Sequence, residues 1–401
     1  MMDVEIKGIG CVDAPGTPHL NKSFKDLLVE AVYRAISDAD IEPDDIDGAS
    51  FSYGGESEVG YGSITPTLVD ALGLSSIPAY INISNCASAH SALMQGYDMI
   101  QTGNYNCVIV AGFDKYTDVI PFENYMLLST DSMFDYNLGF SHIDAFLFQN
   151  EYFRKYGISS KEAKESLLAF AKLARKNASK NTVASLYNTP IPSDKMLEKL
   201  PFFGSTLQAG EGASAVILTP VSKESNGRNR VTIAGTGFIT TSHYIAHRYE
   251  PGLMKQFDDN ESGDISTGLP LKMAVDQAYK SANCNATDID MIELYDQGIN
   301  EFISLEASGI CKPGTATKFI LEGNGEVDGK CPVNTDGGNI GRGHAAGGAS
   351  LYQIIEIVKQ MQRRSTGVQV SKDLHLALST VIGGAFATSI AVVLKNMDWG
   401  E

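Results

Sequence analysis

The feature that most constrains the fold of this chain is an internal repeat. Residues 24–55 have apolar residues at helical spacing (Leu27, Val32, Ile36), followed by an acidic turn and a short strand. Residues 271–298 repeat this order, and each copy follows a β-rich segment, at residues 3–12 and 230–240. The repeat predicts a duplicated α/β protein in which a pair of mixed sheets sandwiches helices about a pseudo-two-fold axis.

The repeat also predicts the domain organisation. We expect an N-terminal half at residues 1–222 and a C-terminal half at residues 223–401. Residues from about 113 to 200 have no counterpart in the second half, and we expect them to form an inserted lid over the site. Three aromatic residues of this insertion (Phe122, Tyr125, Phe140) are candidates for stacking on a flat ring, although aromatic residues at such spacing more often form core.

Composition excludes several classes of function. With 401 residues and 43% hydrophobic content the chain can bury a full core. Its net charge of −17 disfavours nucleic acid and anionic membranes as partners. No apolar run is long enough to span a bilayer and no secretory signal is evident, so we expect a cytoplasmic protein. The six cysteines lack metal-site spacing, and we expect no metal.

Two residues in the repeated segments are candidates for catalysis. Cys86, in SNCAS, precedes a predicted helix, whose first N–H groups favour a thiolate and can hold an oxyanion. His344, in the glycine-rich NIGRGHAAGG, is predicted to begin the corresponding helix of the second half. A neutral imidazole beside a thiolate can accept its proton and return it to a leaving group. These residue types predict a cysteine nucleophile with a histidine base.

Other histidines carry weaker signals. His90 follows Cys86 by one helical turn, and we expect it to pack in the core. His243 and His247 have the i, i+4 spacing of a metal pair, but no acidic third ligand lies in a recognisable motif. We therefore do not assign His243 and His247 to a metal site.

Four segments resemble the signature blocks of the thiolase superfamily across nearly the whole chain: SNCAS, GEGASAVIL, NIGRGHAAGG and VIGGAFATS. IELYDQG is similar to the sterol-carrier-protein type, and FDYNLGFSHIDAF to the thiolase-like subunits of bacterial acetyltransferases that form diacetylphloroglucinol. The resemblance implies a thiolase fold of five αβαβα layers, an acyl-cysteine on Cys86, and His344 as base. It also implies that the lid residue His142 stands near the acyl group or the acceptor hydroxyl. We expect backbone N–H groups near Cys86 and Gly384 to hold the oxyanion.

Two positions depart from the family pattern. Val381 stands where biosynthetic and degradative thiolases have a second cysteine, and valine cannot remove a proton from an α-carbon. ELYDQG replaces the asparagine-containing motif of the oxyanion site, so Tyr295 or Asp296 takes the place of the usual donor. Both changes favour an acceptor whose carbon becomes nucleophilic once a hydroxyl proton is removed. Ala346 replaces a serine of the acetyltransferase, which leaves the identity of the acceptor open.

We therefore expect an acyltransferase that moves an acetyl or acyl group through a cysteine thioester to a phenolic or polyketide-like acceptor, forming a C–C bond. The donor is a C-acylated phenol or a CoA thioester, and no cofactor is expected. The alternatives are an acetyl-CoA acetyltransferase, a retro-aldolase that uses Tyr295 for proton transfer, and a non-catalytic scaffold. The resemblance further implies a homodimer in complex with a ketoacyl-synthase-like protein and a small OB-fold zinc-ribbon protein.

Overall fold

The computed structural model describes residues 2–60, 62–74, 76–119, 143–221, 227–243, 265–298, 300–384 and 386–399. The strands are β1 (Val4–Cys11), β2 (Gly48–Ser52), β3 (Ala79–Asn82), β4 (Val108–Asp114), β5 (Gly212–Pro220), β6 (Val231–Thr240), β7 (Met291–Leu294), β8 (Leu376–Gly383) and β9 (Thr388–Asn396). The helices are α1 (Phe24–Ala39), α2 (Glu56–Val59), α3 (Ile64–Leu72), α4 (Ser88–Gln101), α5 (Ile143–Lys155), α6 (Ser160–Ala178), α7 (Asp194–Leu197), α8 (Leu269–Ala282), α9 (Glu301–Ala307), α10 (Ala316–Leu321), α11 (Gly338–Gly341) and α12 (Ala349–Met361).

The strands form a mixed sheet of nine in the order β3-β2-β4-β5-β1-β6-β9-β8-β7. The first five belong to the N-terminal part of the chain and the last four to the C-terminal part. β1 and β6 join the two half-sheets through a single antiparallel pair, Glu5 with Thr232. β2 is parallel to β3 and β4, and β7 is parallel to β8, whereas the remaining pairs are antiparallel.

Helices cover both faces of each half-sheet. Alternate residues of β4 face two cores: Val108 and Val110 pack with α4, whereas Ile109 and Ala111 pack with α1. α4 and α12 occupy the central layer, where His90 of α4 contacts Ser379 of β8 at 2.9 Å. α1 and α8 form the outer layers on β1 and β6. This arrangement gives five layers, which confirms the predicted thiolase fold.

The internal repeat extends to backbone contacts. β1 and β6 each carry an irregularity in register, at Ile6/Gly8 and Ile233/Gly235. A Cβ at Gly8 would overlap the carbonyl oxygen of Ala35 in α1, and one at Gly235 would overlap that of Ala278 in α8. Both copies therefore use glycine to bring a strand against the backbone of its helix.

The described part of the predicted lid contains α5, α6 and α7. Ser159 caps α6 by accepting the N–H of Glu162 at 3.2 Å. Residues 120–142 lie outside the described residues, so the roles predicted for Phe122, Tyr125, Phe140 and His142 stay predictions. In the described ranges, no helix has the length and apolar character needed to cross a membrane.

Candidate active site

The candidate nucleophile Cys86 lies in a tight turn between β3 and α4. Cys86 precedes α4 by two residues, and Asn85 before it has a left-handed backbone with φ of 51°. The Ser88 hydroxyl donates to the Asn85 carbonyl at 2.5 Å and accepts the Ser84 N–H at 2.8 Å. This local network fixes the turn, and the Cys86 side chain is left partly exposed at the start of the central helix.

Tyr295 links the cysteine to the histidine. It follows β7, its side chain is buried, and its hydroxyl hydrogen-bonds the Cys86 thiol. The same hydroxyl lies 3.2 Å from Nε2 of His344, and the two rings meet edge to face with centroids 5.3 Å apart. Cys86, Tyr295 and His344 thus form a continuous hydrogen-bonded chain along which a proton can move.

The ionisation of Cys86 differs from the sequence-based expectation. Burial raises the pKa of the Cys86 thiol to about 11, the Tyr295 hydrogen bond opposes this rise, and the charge of Asp114 adds to it. This direction is opposite to the sequence-based expectation of a thiolate at a helix start, because removing a charge from water favours the neutral thiol. Tyr295 and His344 form a hydrogen-bonded route by which the proton of a neutral thiol can leave.

His344 does not begin a helix, which corrects a second expectation. It lies five residues before α12 in an extended segment paired with Ala209. The His344 N–H donates to Gln208 at 2.8 Å, and its carbonyl accepts the Gly210 N–H at 2.9 Å. Because Gly343 has φ of 114° and packs directly on Gly16, the chain can turn sharply just before the imidazole.

Asp296 supports the segment that carries His344. Its carboxylate accepts the Asn339 N–H at 2.7 Å at the start of α11, and burial raises its pKa to about 7. At the end of α11, Arg342 pairs with Asp336 at 2.5 Å and donates to Asn339 at 2.6 Å. The Asp296 carboxylate is therefore bound to the backbone of α11. Of the two residues, Tyr295 is the better candidate for the hydrogen-bond donor near Cys86.

The end of β8 closes the site from the other half. Gly383 packs on the Cys86 turn, since a Cβ there would lie 2.5 Å from the Ser84 carbonyl oxygen and 3.3 Å from the Ala87 nitrogen. Gly384 follows with φ of 54°. Val381 is fully buried in β8. The structure therefore brings Cys86, Tyr295, His344 and the Gly383–Gly384 backbone together.

Sequence reasoning missed a buried acidic cluster beneath this site. Asp114, at the end of β4, accepts the Gly348 N–H at 2.9 Å and so anchors the segment that follows His344. Glu58 accepts the N–H groups of Gly54 and Lys115, and burial raises its pKa to about 8. Burial also raises the pKa of Asp114 well above its usual range, with the Glu58 charge adding to the rise. The one sign of this cluster in the sequence is the charged pair Asp114 and Lys115 at the end of the otherwise apolar β4.

The structure also places His243 against the site. A Cβ at Gly384 would lie 2.6 Å from His243 Nε2 and 3.0 Å from Asn85 Nδ2. Its suggested metal partner, His247, lies outside the described residues. Within the described ranges, no three His, Cys, Asp or Glu side chains are grouped so that they could hold a metal ion.

Two half-sheets around paired central helices, with a cysteine turn facing a histidine from a glycine-rich segment, define a thiolase-type protein. The family model described as "Thiolase, N-terminal domain" matches residues 13–194, and "Thiolase C-terminal domain-like" matches residues 258–396. The chain belongs to the thiolase superfamily.

Curated relatives cover nearly the whole chain. Sterol carrier protein 2 of Gallus gallus is 26% identical over 395 residues, which span 91% of this chain and 67% of that protein. An acetyl-CoA acetyltransferase of Methanocaldococcus jannaschii is 28% identical over 392 residues, spanning 94% of this chain and 95% of that protein.

Solved structures share the fold. A structure titled "Ltp2-ChsH2(DUF35) aldolase" has a TM-score of 0.77 at 21% identity, covering 99% of this chain and 98% of that one. Human mitochondrial 3-ketoacyl-CoA thiolase has a TM-score of 0.68 at 17% identity, with 99% of each chain covered. At these identities the likeness shows the fold alone.

Proposed function

We propose that this protein is an acyltransferase that carries an acyl group on Cys86 and transfers it to the carbon of a phenolic or enolic acceptor. The observation that carries the proposal is the hydrogen-bonded chain from the Cys86 thiol through the Tyr295 hydroxyl to His344 Nε2. The curated relatives named acetyl-CoA acetyltransferases support a CoA thioester as one acyl donor.

In the first half-reaction the thiol proton passes through Tyr295 to His344 as sulfur attacks the donor carbonyl. Backbone N–H groups near Cys86 and Gly384 hold the developing oxyanion. The bond between the acyl carbon and the donor's leaving group breaks, and His344 gives its proton to that group. Cys86 then holds the acyl group as a thioester.

In the second half-reaction a carbon of the acceptor attacks the thioester. The C–C bond forms, the C–S bond breaks, and the proton displaced from the acceptor goes to the Cys86 sulfur. Val381 supports an acceptor of this kind, because its buried aliphatic side chain cannot remove a proton from the α-carbon of a second thioester.

Intact-protein mass spectrometry after incubation with acetyl-CoA tests the proposal. We expect one acetyl group on the wild-type chain, mapped to Cys86, and none on Cys86→Ala. Cys284→Ala is the matched control, because Cys284 is also partly exposed and burial raises its pKa to about 11 as well. If Cys284 is acetylated as fast as Cys86, the acyl-cysteine proposal fails and a scaffold role is favoured.

A retro-aldolase is the second candidate, and the central position of the buried Tyr295 hydroxyl favours it. A tyrosine that shares a hydrogen bond with an imidazole can move a proton to or from a substrate oxygen without help from the cysteine. The same variant separates the two reactions: a Cys86→Ala enzyme that still cleaves a β-hydroxyacyl-CoA supports the aldolase and contradicts acyl transfer.

We also propose a homodimer that works within a larger complex in the cytoplasm. The described edge strand β3 pairs with β2 on one side, and its Tyr80 and the following Ile83 are 43% and 51% exposed. An apolar edge of this kind suits pairing with a second copy. The solved aldolase whose title names a DUF35 component supports a further small subunit. A solution mass equal to one chain would contradict the homodimer.

A further inference from the structure

Transfer to a phenolic carbon needs a base for the acceptor hydroxyl, and the candidate from the sequence, His142, lies outside the described residues. The acceptor's hydroxyl must lose its proton before its ring carbon attacks the thioester. His344 Nε2 already faces Tyr295, whose hydroxyl contacts Cys86, so this imidazole serves the thiol. Val381 is aliphatic and buried. A separate base on the acceptor side would leave the Tyr295–His344 pair to serve the thiol alone.

His243 lies where such a base is needed. β6 ends at Thr240, and the Thr241 N–H donates to the Ala387 carbonyl at 2.7 Å, so the chain stays beside the segment after β8. His243 lies two residues after Thr241, and its partly exposed imidazole packs on Gly384. A Cβ at Gly384 would meet His243 Nε2 at 2.6 Å and Asn85 Nδ2 at 3.0 Å, so both nitrogens border the same point.

This geometry sets His243 apart from the Tyr295–His344 pair. Gly383 and Gly384 pack on the turn that carries Cys86, and His243 approaches that turn over Gly384. Tyr295 instead follows β7, and His344 comes from the glycine-rich segment before α12. Two imidazoles therefore flank the Cys86 turn from different elements of the same half.

We propose that His243 is a catalytic residue of the second half-reaction and takes the hydroxyl proton of a phenolic or enolic acceptor. The proposal rests on the proposed acyl transfer and names the base for it. His243 Nε2 accepts the O–H proton, and the ring carbon attacks the thioester carbon. The C–C bond forms and the C–S bond breaks. The ring-carbon proton then passes to the Cys86 sulfur, while His243 returns its proton to the phenolate oxygen.

A two-stage experiment on the full chain tests the role. His243→Gln is first incubated with acetyl-CoA and analysed by mass spectrometry, then mixed with monoacetylphloroglucinol. We expect acetylation of Cys86 to the wild-type extent, which also shows that the variant is folded. Transfer to the phenol is expected to fall about 100-fold, the usual contribution of a general base. His375→Gln is the matched control, because His375 stacks on Trp399 at the C-terminal end of the chain.

A second measurement does not depend on acylation. Monoacetylphloroglucinol is bound to Cys86→Ser enzyme, and the absorbance of its phenolate form is followed. We expect a larger phenolate fraction with His243 present than in the Cys86→Ser, His243→Gln double variant. Equal phenolate fractions, or transfer by His243→Gln within threefold of wild type, would overturn the role of His243. If the wild-type chain forms no acetyl adduct, the acyl-transfer proposal fails, and the phenolate measurement still decides whether His243 acts as the base.

Discussion

At the scale of single residues, one hydroxyl connects the two halves of the candidate site. The Tyr295 oxygen contacts both the Cys86 thiol and His344 Nε2, and burial raises the pKa of Tyr295 well above its usual range. The motif resemblance predicted Cys86 and His344, and it left the choice between Tyr295 and Asp296 open. The raised pKa of Cys86 could not be predicted, because it depends on burial that only the folded chain creates.

Tyr295→Phe tests this connection. The substitution keeps the ring and removes the hydroxyl that lowers the pKa of Cys86, so that pKa rises further. We expect the rate of Cys86 alkylation by iodoacetamide at pH 8 to fall about tenfold, which corresponds to one pKa unit. Acyl transfer should fall about 100-fold.

Tyr279→Phe is the matched control for this substitution. Tyr279 is also buried, but its hydroxyl donates to the Ser308 carbonyl at 2.8 Å instead of facing the candidate site. Its removal should leave Cys86 alkylation unchanged. An unaltered alkylation rate in Tyr295→Phe would show that the hydroxyl does not act on the thiol.

At the scale of elements, the repeated strand–helix unit was readable from the sequence. Apolar spacing predicted α1 and α8, and the acidic turns correspond to short 3-10 helices at Pro43–Asp45 and Ala286–Asp288. The contacts that hold α11 could not be predicted from the sequence. Asp336 and Arg342 flank this one-turn helix, but Asp296 reaches it from 43 residues earlier in the chain, and such a distant contact leaves no local pattern.

Gly235→Ala tests the strand–helix contact of the second copy. A Cβ at Gly235 would overlap the Ala278 carbonyl oxygen, so β6 and α8 must separate. We expect the free energy of unfolding to fall by about 2–3 kcal/mol, measured by chemical denaturation. Gly62→Ala serves as the control, because a Cβ there meets only the Glu56 carboxylate, at 3.7 Å. Equal stability of the two variants would contradict the close contact.

At the scale of the whole molecule, an acidic chain buries several carboxyl groups near its site. Burial raises the pKa of Glu58 to about 8, and that of Asp296 and Glu301 to about 7 each. Net charge is visible in the sequence, whereas the identity of the buried acids is not, because it depends on packing between strand ends and loops.

These raised pKa values predict that stability falls as pH rises. Between about pH 4 and 8 the folded chain holds protons on these acids that the unfolded chain has released, so each added unit of pH favours unfolding. We expect a lower melting temperature at pH 8.5 than at pH 5.5. Glu58→Gln should reduce the difference, since it removes one of the titrating groups. A melting temperature that rises over this interval would contradict the prediction.

The contact between Gly383–Gly384 and the Cys86 turn has a consequence for how such a protein can diversify. The thiol comes from one copy of the duplicated unit, and the groups that surround it come from the other. Loading of the proposed acyl group would therefore depend on residues of both copies, so neither copy can change around the site without affecting the other.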